Sequence, residues 1–105
     1  MKTYDIEITA KAYEDLEQIY TYIADELLEP VIAANQYDRI ADAILTLDIM
    51  PDQIKIMDSE PARSKDLRPL LVDKYTVLFT IETDTVYIAR VLYSSSDIST
   101  KLAEE

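Results

Sequence analysis

Three runs in the second half of the chain set its plan. From Leu67 to Tyr93 (LRPLLVDKYTVLFTIETDTVYIARVLY) apolar residues return at every second position. Tyr75, Val77, Phe79 and Ile81 alternate with Thr76, Leu78, Thr80 and Glu82. Val86, Ile88, Arg90 and Leu92 alternate with Tyr87, Ala89, Val91 and Tyr93. A period of two in β-branched and aromatic residues predicts three short strands in an antiparallel meander with one face packed. The turns fall at Asp73-Lys74 and Thr83-Asp84, and neither holds the glycine that two-residue hairpins favour.

The same alternation from Lys2 to Ile8 predicts a half-buried strand at an edge of the sheet or joining it from outside. After Thr9, a suitable N-cap, the period lengthens. Tyr13, Leu16, Tyr20, Ile23 and Leu27 recur every three or four residues, which predicts an amphipathic helix over Ala10 to Leu28. Glu14, Asp15 and Glu17 spread around that helix rather than converge on a metal, and read as its solvated face. Glu29-Pro30 breaks the run and starts a second helix that ends near Asp48, with Ala33, Tyr37, Ile40, Ala41, Ile44 and Leu47 as its apolar stripe. So short a connection makes an antiparallel helical hairpin, and only the sheet is available to cover its stripes. Tyr13, Tyr20 and Tyr37 are expected in the core, and Tyr22, off the stripe, at a contact surface. Residues 49–66, with two prolines, read as a long irregular connection; Asp97 caps a short terminal helix from Ile98 to Ala103. The expected fold is α+β, an antiparallel sheet packed against an N-terminal helical hairpin. Its order is β-α-α-β-β-β-(short α), in one domain over residues 1–105.

Composition narrows the chemistry. A net charge of −11 repels phosphate backbones, so direct binding of free nucleic acid is not expected. There is no histidine to act as a general base, no cysteine, and no glycine for a phosphate-cradling loop. No metal site and no cofactor are expected. No segment approaches the roughly 20 apolar residues of a membrane span, and the protein reads as cytoplasmic.

Two stretches carry a family likeness. YDIEITAKAYEDLEQIYTYIADEL holds an Ala-x-x-Asp-Leu-x-x-Ile-x-x-Tyr-Ile register in Ala12, Asp15, Leu16, Ile19, Tyr22 and Ile23. LRPLLVDKYTVLFTIETDTVYIARVLYSSSD holds Leu67-Arg68, a strand led by Tyr75, the run Ile88-x-Arg90-Val91-Leu92, and a final Asp97. In order and spacing the chain resembles the RelE/ParE superfamily of type II toxin–antitoxin toxins, and ParE-like plasmid stabilisation proteins in particular. The resemblance implies a cognate antitoxin of ParD/RelB type whose C-terminal segment orders on the toxin. It implies either of two targets. ParE-like members bind DNA gyrase without chemistry of their own. RelE-like members cut messenger RNA on the ribosome as mRNA interferases, with clustered Lys and Arg stabilising the charged phosphorane. A degenerate, non-toxic module that still holds an antitoxin is a third reading.

Where RelE-like members place basic residues after the last strand, this chain has Tyr93, Ser94, Ser95 and Ser96, which favours the ParE-like reading. The candidate catalytic groups are Arg68, Arg90 and Tyr93. The candidate binding groups are those three with Lys55, Arg63 and Lys65. Arg68 either pairs with a carboxylate or faces a partner. Arg90, mid-strand among apolar residues, needs a counter-charge if buried, or else presents a surface to target or antitoxin. Tyr93 is either a remnant of a catalytic site or an aromatic on its rim.

Overall fold

The computed structural model describes residues 1–104. Its elements are β1 (Asp5–Ile8), α1 (Ala10–Thr21), α2 (Pro30–Leu45), β2 (Arg68–Val72), β3 (Tyr75–Glu82), β4 (Thr85–Tyr93) and α3 (Ile98–Ala103). The four strands form one sheet in the order β1-β4-β3-β2. β2, β3 and β4 are the antiparallel meander that the alternation predicts, and β1 lies at the outer edge, parallel to β4. That direction follows from the connection: the helical hairpin carries the chain across the sheet and back before the meander begins. The fold is α+β in the predicted order.

Each face of the sheet has its own apolar cluster. On one side Val77, Phe79, Val86, Ile88 and Val91 meet Ala12 and Leu16 of α1 and Ile40 and Ile44 of α2, all buried. On the other, Leu78 and Leu92 pack with Leu102 of α3 and with Ala62 and Leu67 of the long connection. Burying each such side chain contributes roughly 1.5–3 kcal/mol, so the terminal helix and the connection have a core of their own.

The alternation along β4 slips once. Leu78 pairs with Arg90 but Phe79 pairs with Ile88, which leaves Ala89 as the extra residue of a β-bulge. Past it, Val91 rather than Arg90 points into the helix-side core, while Leu92 turns to the opposite cluster. An uninterrupted period of two had placed Arg90 beside Ile88, and the bulge corrects that.

The hairpin also departs from a plain helical reading. Regular turns stop at Thr21, and one π turn follows over Tyr22–Glu26, with the Leu27 amide donating to the Tyr22 carbonyl at 3.1 Å. The segment closes at Leu28 in the left-handed region, φ 56°. Tyr13 and Tyr20 prove exposed, not core, while Tyr37 is half-buried and packs against the core. The stripe of α1 that reaches the sheet is Ala12, Leu16 and Ile19, whose small and aliphatic members let the helix sit close, and the wide rings flank it. Tyr20 instead meets Tyr37 edge to face across the two helices, centroids 6.4 Å apart.

Both turns of the meander are the two-residue kind, and with no glycine available Asp73 and Thr83 take positive φ, 54° and 55°. Asp73 is held further. The Arg39 guanidinium of α2 donates to both its oxygens at 2.8 and 2.7 Å, and Gln36 adds a third bond at 3.0 Å. Those donors, Arg39 first, lower the Asp73 carboxyl to about 2 from an ordinary 3.8. A depressed acid stabilises the fold above its unfolded value and stops doing so as pH falls through its folded one. Stability is therefore expected to drop between pH 3.8 and about 2. In Arg39→Ala this part of the acid limb should flatten, as read by urea midpoints across that range. The change is small because the pair is solvent-screened. An unchanged slope would mean that another carboxylate sets it.

Candidate functional site

The parallel pairing of β1 with β4 ends at Ile8 and Ile88, so the outer edge of β4 beyond that point lacks a strand partner. Its polar groups are met by the start of α1. Thr9 donates to the Ile88 carbonyl through both its amide, 3.1 Å, and its hydroxyl, 2.8 Å. Asp15, two turns on, accepts the Val91 amide at 2.9 Å. The same carboxylate takes a forked bond from Arg90, Nε to Oδ2 at 2.7 Å and Nη2 to Oδ1 at 3.0 Å. With Asp15 5% and Arg90 8% exposed, this is a buried, bidentate pair. The reading of Asp15 as part of a solvated face is thus corrected. Its spacing held the signal: it lies three residues after Ala12 and four before Ile19, on the flank of the packing stripe.

Arg90 and Asp15 form the floor of a groove of about 730 Å³ between the helical hairpin and the ends of β3 and β4. Tyr22, Ile32, Tyr75 and Tyr93 supply its apolar walls, and Lys74 and Lys101 stand at its margin. Tyr75 and Tyr93 meet edge to face at 5.6 Å. Burial, with Tyr93 and Tyr22 nearby, pushes the Tyr75 hydroxyl above the usual phenol value, so this ring stays neutral. Below the groove, Thr76 and Ser94 share a hydroxyl bond of 2.7 Å across the two strands.

Of the six residues singled out in the sequence, the groove brings together Arg90 and Tyr93. Lys55, Arg63 and Lys65 belong to the connection that covers the opposite face. Arg63 lies 4.0 Å from Glu60, and the Lys65 ammonium donates to the Leu102 carbonyl at 3.2 Å, tying α3 to that connection. Arg68 turns inward to the same connection, its Nη1 donating to the Asp52 and Ile54 carbonyls at 3.1 and 2.6 Å. The groove adds Lys74 and Lys101, which sequence reasoning did not single out for it. Lys74 was legible as a turn residue, but only the fold sets it and Lys101 on one groove. Among the described residues no group of three or more acids could hold a metal ion.

The family model for the ParE toxin of the type II toxin–antitoxin system parDE matches residues 6–98. The chain belongs to the ParE toxin family. No curated protein sequence matches it. A chain of the chromosomal ParDE toxin–antitoxin system from P. aeruginosa superposes with a TM-score of 0.72 at 22% identity, covering 87% of this chain and 96% of that one. A chain of the toxin–antitoxin complex RelBE2 from Mycobacterium tuberculosis gives 0.60 at 23%, covering 91% and 97%. At such identities the likeness is one of fold. It extends to both branches of the RelE/ParE superfamily, as the sequence resemblance does.

Breaking the pair at the groove floor should be costly. Asp15→Ala leaves a buried guanidinium and an unpaired strand amide, and is expected to lower stability by about 3–5 kcal/mol. The double replacement Asp15→Leu with Arg90→Met should recover much of that, because apolar groups of similar volume need no partner. Equilibrium urea unfolding reads both. A loss below about 1 kcal/mol in Asp15→Ala would place the pair among weak surface contacts.

Proposed function

We propose that this ParE-family toxin acts by binding a protein target, DNA gyrase, without chemistry of its own. We also propose that a ParD/RelB-like antitoxin neutralises it by ordering a C-terminal segment in the groove. The observation that carries the first part is the commitment of the two arginines the resemblance singles out. Arg90 is spent on Asp15, and Arg68 on two main-chain carbonyls. A phosphorane needs preorganised cations aimed at it, and these two are aimed elsewhere. The second part is supported by the groove itself: tyrosines and aliphatics for an apolar stripe, with Lys74 and Lys101 at the margin for acidic residues beside that stripe. Tyr93, and Arg90 through the floor, serve that binding; Lys55, Arg63 and Lys65 on the long connection, and Arg68 on the helix side of β2 beside it, are assigned as further contacts of the antitoxin. The protein works in the cytoplasm, where gyrase is, and no helix among the described residues is long and apolar enough to cross a membrane.

One observation favours the ribonuclease as a second reading. Tyr93, Tyr75, Lys74 and Lys101 all line the groove, so two phenols and two ammonium groups share it. Two assays separate the readings. The purified protein is expected to inhibit supercoiling of relaxed plasmid by gyrase at micromolar concentration, and to leave message intact on stalled ribosomes. Cleaved message, lost in Tyr93→Phe or Lys101→Ala, would reverse the assignment. Neither effect, with normal growth on induction, would leave a non-toxic antitoxin-binding module.

A further inference from the structure

The far end of the helical hairpin has the wrong residues for a surface that only needs to be wet. Leu28 is 77% exposed and Val31 71%, with Leu27 and Ile32 beside them more than half exposed. Leu28 also sits at φ 56°, where a side chain costs free energy that glycine or asparagine would largely avoid. Neither burial nor backbone preference accounts for leucine there. Helix formation does not account for it either, since the residue lies past the π turn and before Pro30.

The electrostatic setting is one-sided. Between Lys11 and Arg39 the chain has no lysine or arginine. Asp25 and Glu26 precede the four aliphatic residues in sequence, Glu29 falls between them, and all three acids are exposed. An aliphatic cap with an acidic border would repel an anionic bilayer. It would equally repel the same cap on a second copy of this chain. It complements an apolar pocket bordered by lysine and arginine, the kind of surface that proteins handling nucleic acid present. Leu27 and Ile32 turn to the groove lining, whereas Leu28 and Val31 lie outside it and are the part of the cap open to a second partner.

From this we infer that the hairpin tip, led by Leu28 and Val31 and bordered by Asp25, Glu26 and Glu29, is the target-docking surface of the toxin. Its partner is a protein surface with an apolar pocket and a basic border. The inference rests on the reading above that the toxin works by binding a protein. Steering by the acidic border makes association fast and salt-dependent, and the aliphatic cap sets how long the complex lasts.

The test uses the full chain, purified gyrase holoenzyme and relaxed plasmid, with induced growth arrest read in parallel. Leu28→Ser combined with Val31→Ser should raise the half-inhibitory concentration at least ten-fold and restore growth. Glu26→Gln combined with Glu29→Gln should weaken inhibition at low salt and flatten its salt dependence. Leu45→Ser, an exposed leucine at the other end of α2, should change neither readout. Urea midpoints of all variants establish that each is folded. Tip variants that inhibit and arrest like the wild type overturn the inference. If the wild type arrests growth without inhibiting gyrase, the gyrase assignment falls. The docking surface is then judged by growth alone: relief by the tip variants supports it, and arrest by them overturns it. A wild type that does neither overturns both.

Discussion

An open sheet edge in the middle of a folded chain is the constraint that this protein is built to meet. β1 is four residues long and β4 nine, so more than half of one flank of β4 has no neighbouring strand. Buried amides and carbonyls there must find partners or cost free energy of the order of a lost hydrogen bond each. Thr9 and Asp15 supply them from the first two turns of α1. In doing so they fix where that helix sits, how it is rotated, and which of its residues reach the core. Arg90 completes the arrangement by neutralising the carboxylate that the edge requires. The ion pair is best understood as the means by which a helix substitutes for a strand.

The same arrangement bears on chemistry. A guanidinium locked in a fork with its carboxylate presents little charge to an incoming phosphate, and one bonded to two carbonyls of its own chain is no freer. The likeness to solved relatives of both branches is a likeness of backbone. What distinguishes one mode of action from another lies in where a few cations point. Here the positive groups that remain beside the groove are lysines on a turn and on the terminal helix.

How much of this was legible in the sequence depended on the range of the interaction. The meander, the hairpin, the Thr9 and Asp97 caps and the glycine-free turns were all visible, because each follows from neighbours within a few residues. The bulge at Ala89 was not. Nothing local distinguishes it from Tyr87 or Val91, and only pairing with β3 makes one residue surplus. Arg90 was recognisable as a charge in need of a partner, but the partner was misread, since Asp15 belongs at once to the polar flank and to the packed stripe. The exposed tyrosines failed for a complementary reason: apolar spacing reports which side of a helix faces inward, not how far the sheet beneath it extends. The groove escaped because its walls come from four segments distant in sequence.

Among the described residues of a chain with no glycine, five positions are left-handed: Leu28, Met50, Asp66, Asp73 and Thr83. Each is confined both when folded and when unfolded, so the bends they form have little slack. Two of them end strands of the sheet and one closes the helical hairpin. Surfaces framed by such bends hold one shape and adapt poorly. In any complex the loss of conformational freedom then falls mainly on the incoming molecule, which favours a pliant binder for the groove and an already rigid one for the tip.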